Sequence, residues 1–107
     1  MICAGVVSTL TKTPRNVIIQ KGDDVQMECS TDTAGSSNPI TWTYDGRNIT
    51  RQPCSPIDGT RFVVSRSTTD DCYITTDGNS TSQNHGTYGC SDRTGKTAEA
   101  VAILIGN

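Results

Sequence analysis

Five cysteines, Cys3, Cys29, Cys54, Cys72 and Cys90, and one histidine, His85, are the side chains of this 107-residue chain with the widest choice of chemistry. Such thiols can ligate zinc, act as nucleophiles or oxidise to disulfides. Structural zinc is usually held by closely spaced ligand pairs, and no Cys-x-x-Cys occurs, so four ligands would have to converge from distant segments. Hydrolysis would need His85 beside Ser82 or Ser91, with a carboxylate to orient the ring. If the strands of this chain pack as two sheets, His85 falls in the turn before Tyr88, an exposed corner with no cleft to exclude water, where acid–base chemistry gains least. The carboxylate pairs Asp23/Asp24 and Asp70/Asp71 suggest calcium or acid–base work, yet both stand in strand-linking turns, where aspartate is favoured because its side chain caps local backbone. No catalytic residue, metal ligand or cofactor is expected.

Bulk composition narrows the classes further. Apolar residues make up 33% of the chain, below the ~45–50% of ordinary soluble domains, so the core is thin and needs reinforcement. Net charge is −2, with Lys and Arg scattered along the sequence. That distribution offers no footprint for a phosphate backbone, and nucleic acid is not an expected partner. The longest apolar run, Ala100 to Ile105, falls far short of the ~20 residues of a membrane-spanning helix, so no membrane contact is expected from this segment. The length suits one domain, residues 1–107. Met1 to Val7 is too short for a whole signal peptide, and the chain is read as one domain excised from a longer receptor or secreted protein. Asn48-Ile49-Thr50 and Asn79-Ser80-Thr81 are acceptor sequons for N-glycosylation, in keeping with an extracellular address.

The elements that must position these residues read as strands. Val25, Met27 and Cys29 alternate with Asp24, Gln26 and Glu28, the period of a strand with one buried face. Ile40 to Tyr44 alternates around Trp42, the only tryptophan. Asp45-Gly46 signals a tight hairpin returning through Arg47 to Thr50. A first strand around Val6 to Thr11 breaks at Pro14, which cannot donate to a ladder and so permits an edge strand to switch from one sheet to the other, and resumes over Val17 to Gln20. Gln52 to Asp58 reads as an irregular connection or short edge strand, followed by strands over Arg61–Arg66, Cys72–Thr76 and Thr97–Ile105. Tyr88 stands two places before Cys90.

Cys29, Trp42 and Tyr88-Gly89-Cys90 together form the Cys…Trp…Tyr-x-Cys arrangement, and the chain from about Leu10 to Ile105 resembles the immunoglobulin superfamily. The resemblance implies an all-β, two-sheet Greek-key sandwich with a core disulfide from Cys29 to Cys90, Trp42 packed on it and Tyr88 bonding back to the corner backbone. Gly59 to Arg66 is similar to the corresponding strand of antibody-type variable domains, which favours the V-set, whereas the Trp42–Gly46 hairpin looks like the I-set. In the family an arginine at the start of that strand pairs with an aspartate six residues before the second cysteine; here Arg61 faces Asn84. A Cys29–Cys90 bond would stabilise by on the order of 4 kcal/mol in the chain-entropy model and would persist only in an oxidising compartment, outside the cell or in the secretory lumen. Of the other cysteines, Cys54 with Cys72 is the preferred second pair, with Cys3 able to replace either partner; Cys3 is otherwise a free thiol or pairs with another chain or domain.

Family likeness also implies where binding would reside. Three loops, Thr31 to Asn38, Ile49 to Ile57 and Ser91 to Lys96, would cluster at one end, with Arg51 and Arg93 as candidate contacts. Both alternations of the last strand are apolar, Ala100/Ala102/Leu104 and Val101/Ile103/Ile105, although a strand facing water needs only one. Val101 and Ile103 are therefore candidates for a dimer face beside the small outward positions Thr41, Thr43, Thr87, Gly89 and Ser91. The expected function is non-enzymatic recognition of a protein or glycan ligand, microbial or cell-surface, by an extracellular immune-type receptor or secreted defence molecule. The alternative is an adhesion or structural domain acting by homophilic pairing.

Overall fold

The computed structural model describes residues 10–20, 22–32, 38–57, 62–66, 69–76, 85–92 and 94–105. Among them the regular structure is all β. In chain order the strands are β1 (Leu10–Lys12), β2 (Val17–Ile19), β3 (Val25–Met27), β4 (Ser30–Thr31), β5 (Thr41–Tyr44) and β6 (Arg47–Asn48). They continue with β7 (Thr50–Arg51), β8 (Ser55–Pro56), β9 (Phe62–Ser65), β10 (Tyr73–Thr76), β11 (Gly86–Ser91) and β12 (Thr97–Leu104).

One layer is a five-stranded sheet in the order β2-β12-β11-β5-β6, and the other holds β3-β10-β9, with β1 pairing β4. The first strand is split between layers as the sequence suggests: β1 runs antiparallel to β4, whereas β2 runs parallel to β12. The crossing is made at Thr13 to Asn16, where Pro14 lacks the N–H a ladder requires and is buried between the layers. Asn16 Oδ1 accepts from the Val101 N–H at 2.8 Å, fastening the crossing to β12.

The β5–β6 hairpin turns on Asp45 and Gly46, whose φ values of 49° and 84° are both left-handed. Two such residues in a two-residue loop make the turn that matches strand twist, and Asp-Gly is the pair that tolerates it. The expected return strand to Thr50 does not continue that far. Its ladder stops at Asn48, opposite Thr43; the Ile49 N–H donates to the Trp42 carbonyl at 3.0 Å, and Thr50 starts a separate pairing of β7 with β8. Thr50 is 3% exposed and its Oγ1 accepts the Trp42 N–H at 2.8 Å, standing in for the strand carbonyl lost as the chain departs. The turn between β7 and β8 contains a cis Gln52–Pro53 bond and left-handed Cys54, and of the two readings of Gln52 to Asp58 the short strand is found, as β8 at Ser55–Pro56.

Alternation places Val25 and Met27 from β3, Ile74 from β10 and Phe62 from β9 against Trp42, Tyr88, Ala100 and Ala102 of the other sheet. Cys29 and Cys90 are bonded across the layers with S–S 2.12 Å and Cα–Cα 6.5 Å, and Trp42 is the register partner of Cys90. Cys54 and Cys72 form a second bond, S–S 2.17 Å. The two bridges are tied together by backbone: the Cys72 N–H donates to the Cys29 carbonyl at 2.9 Å, and the Cys72 carbonyl accepts from Trp42 Nε1–H at 2.9 Å. The indole is thus oriented by the bridge that pins β7–β8 to the entry of β10. Tyr44 packs on Tyr88 and Phe62, with ring centroids 5.1 and 5.9 Å apart.

Candidate functional site

The outer face of the five-stranded sheet is built by the alternation that fills the core. Because Ala100 and Ala102 point inward and are buried, Val101 and Ile103 point outward, and the parallel register sets Ile103 beside Ile18 of β2. Ile18 is 65% exposed, Ile103 43% and Ile105 45%. Three isoleucines so placed make one apolar margin. Moving across the sheet, Val101 is opposite Thr87, Glu99 opposite Gly89, and Thr97 opposite Ser91. Gly89 is in turn opposite Thr43, Ser91 opposite Thr41, and Asn48 ends the row opposite Thr43 at the β6 edge. Gly89 keeps the middle low: a Cβ there would lie 2.8 Å from Thr43 Oγ1. The face therefore grades from branched apolar side chains at β2 and the end of β12, past the exposed Glu99 carboxylate that reaches over Gly89, to small hydroxyls and one amide at β5 and β6.

The loop end is organised differently. Asp92 is buried and its Oδ1 accepts from the Thr94 N–H, the Thr94 hydroxyl and the Lys96 N–H at 2.9, 2.9 and 3.0 Å. With Gly95 at φ 88°, those bonds fix the turn between β11 and β12. Asn38 is buried at the start of β5, its amide donating to the Asp71 carbonyl at 2.6 Å and its Oδ1 accepting from Ile40 N–H at 3.0 Å. Arg51 is exposed on β7, opposite Ser55. Arg93 lies outside the described residues, as do Cys3, Asn79, Ser82, Asn84, Arg61 and the loop positions 33–37.

His85 is occupied by architecture. Its Nδ1 accepts from the Leu104 N–H at 3.1 Å, and its carbonyl accepts from the Tyr44 hydroxyl. Ser91 stands at the opposite end of β11, six residues or ~20 Å along an extended strand, so the two are not brought together. The Tyr44 bond, spanning 41 residues, has no signal in local periodicity. Among the described residues no cluster of His, Cys, Asp and Glu could hold a metal ion. At the open side of the sandwich, Tyr44, Arg47, Ile49, Ile57 and Phe62 line a cavity of about 460 Å³. On the opposite side Lys12 donates to the Tyr73 hydroxyl at 2.8 Å, a bond that holds the ammonium's pKa above the usual lysine range.

No protein-family model matches the sequence, and no curated protein matches it either. Solved structures do. The chain is similar to Dpr1 IG1, in a structure where that domain is bound to DIP-eta IG1, with TM-score 0.77, 15% identity, and coverage of 94% of this chain and 97% of the other. It is equally similar to the domain in the RIG-5 IG1 homodimer, with TM-score 0.77, 12% identity, and coverage of 94% and 100%. The fold is that of an immunoglobulin domain. A chimeric titin Z1Z2 tandem matches with TM-score 0.74 and 19% identity over 92% of this chain, which spans about half, 50%, of the tandem.

Proposed function

We propose that this immunoglobulin domain is a non-enzymatic extracellular recognition module that pairs with a second copy of itself through the outer face of its five-stranded sheet. The observation that carries the reading is the exposed margin Ile18, Ile103 and Ile105, continuous with the small positions Thr87, Gly89 and Thr43. Apolar side chains grouped at the edge of a flat face are expensive to leave in water and characterise interaction sites. Two similar folds, RIG-5 IG1 and Dpr1 IG1, occur in immunoglobulin pairs, which supports pairing as the mode. The whole chain, residues 1–107, acts as one domain of V-type with a hairpin like that of the I-set. Two disulfides reinforcing a thin core support an oxidising compartment.

A second reading keeps the immune-type receptor and its loop-end ligand. It is favoured by the turn clamped at Asp92, Thr94 and Lys96 and by the exposure of Arg51 on β7, with Arg93 as the second candidate contact from the sequence. Sedimentation velocity at two concentrations separates the two. The pairing reading expects self-association that is abolished by Ile103→Lys and unaffected by Arg51→Ala and Arg93→Ala. A strict monomer, or a dimer indifferent to a charge at Ile103, would overturn it.

A further inference from the structure

We infer that Asn48 is an N-glycan attachment site that can be modified only before the domain folds, so that folding itself closes the site. The inference rests on the extracellular part of the reading above, which routes the chain past the transferase. Asn48 is exposed at the end of β6, opposite outward Thr43, and among the described residues its side chain makes no hydrogen bond. As an acceptor it satisfies the Asn-x-Thr rule.

The third residue of the sequon behaves in the opposite way. Thr50 is buried, and its Oγ1 is committed to the Trp42 N–H at 2.8 Å beneath the point where the chain leaves the sheet. Between them Ile49 is also buried, its N–H bonded to the Trp42 carbonyl. A transferase must engage the asparagine amide and the threonine hydroxyl together in an accessible segment. Here the amide faces solvent while the hydroxyl faces the core, and both neighbours are held by β5. Exposing Thr50 would require stripping residues 49 and 50 from Trp42, which is itself locked by its indole bond to Cys72. The unfolded chain carries no such restriction.

The reaction balances without redox change. The Asn48 amide nitrogen bonds to the anomeric carbon of a lipid-pyrophosphate-linked oligosaccharide, the carbon–oxygen bond to pyrophosphate breaks with its electron pair, and the amide loses one proton. The product places a glycan at the β6 margin of the recognition face, across the sheet from Ile18 and Ile103. Disulfide formation and glycan transfer therefore compete for the same nascent chain, and the mature population divides by which comes first.

The test presents the full 107-residue chain to a solubilised oligosaccharyl transferase with lipid-linked donor, once as the oxidised folded domain and once reduced, alkylated and unfolded. Cleavage after Arg47 and Arg51 frees the fragment Asn48–Arg51, which holds no other sequon, so mass spectrometry reads this site alone. The expected result is glycan on the fragment from the unfolded chain and none from the folded one. Absence of glycan from both, or equal modification of both, would overturn the proposal. Because donor and transferase are supplied in vitro, the outcome does not depend on the cellular address, so failure of the extracellular reading and failure of this proposal are distinguishable.

Discussion

Thr76 turns a hydroxyl into the core where its register partners are Val25 and Phe62, and it is 1% exposed. Among the described residues Thr76 Oγ1 has no hydrogen-bond partner. Burying an unpaired hydroxyl costs about 1–3 kcal/mol, while valine has the same shape and no polar atom. Thr76→Val is therefore expected to raise stability by about 1 kcal/mol, read as a higher urea midpoint at unchanged slope. A lower midpoint would mean that the hydroxyl is satisfied. The sequence places Thr76 at the end of a strand, but its burial and its unpaired hydroxyl emerge only from the packed sheets. The same limit applies to His85: its turn position is legible, whereas its service as acceptor for Leu104, 19 residues later, depends on how the strands stack.

Elements with a clean period-two pattern were the most legible. The alternations around Met27 and Trp42 identify β3 and β5 and their inward faces, because one-sided burial forces that pattern, whereas β12, apolar on both alternations, was legible as a strand without its inward face. Pro14 likewise announces the crossing between layers. The segment from Asn48 to Pro56 was legible only in part: the hairpin return and a short edge strand can be read, but the break between β6 and β7 cannot, since both are too short to show a period and their separation depends on a side chain replacing a backbone acceptor. Thr50→Val would leave the buried Trp42 N–H unpaired and is expected to lower stability by about 1–2 kcal/mol. Thr50→Ser keeps the oxygen and should recover most of that loss. Equal effects of the two substitutions, measured by denaturant unfolding, would show that packing and not the hydrogen bond holds this corner.

At the scale of the molecule, a chain with few apolar residues folds as a sandwich held by two disulfides, one across the layers and one from the β7–β8 turn to the entry of β10, joined through Trp42 and Cys72. The Cys…Trp…Tyr-x-Cys resemblance made that architecture legible, whereas spacing alone left the cysteine connectivity open. The recognition face was only half legible. Surplus apolar residues on β12 were visible in the sequence, but the parallel register that adds Ile18 to Ile103 is a product of the strand crossing. The face is tested most directly by adding unlabelled domain to a fixed amount of nitrogen-15-labelled domain and following each amide resonance. The account predicts concentration-dependent shifts or broadening at Ile18, Thr87, Gly89, Val101 and Ile103, with Arg51 and Thr94 to Lys96 unmoved. Changes confined to Arg51 and Thr94 to Lys96, or none anywhere, would contradict it.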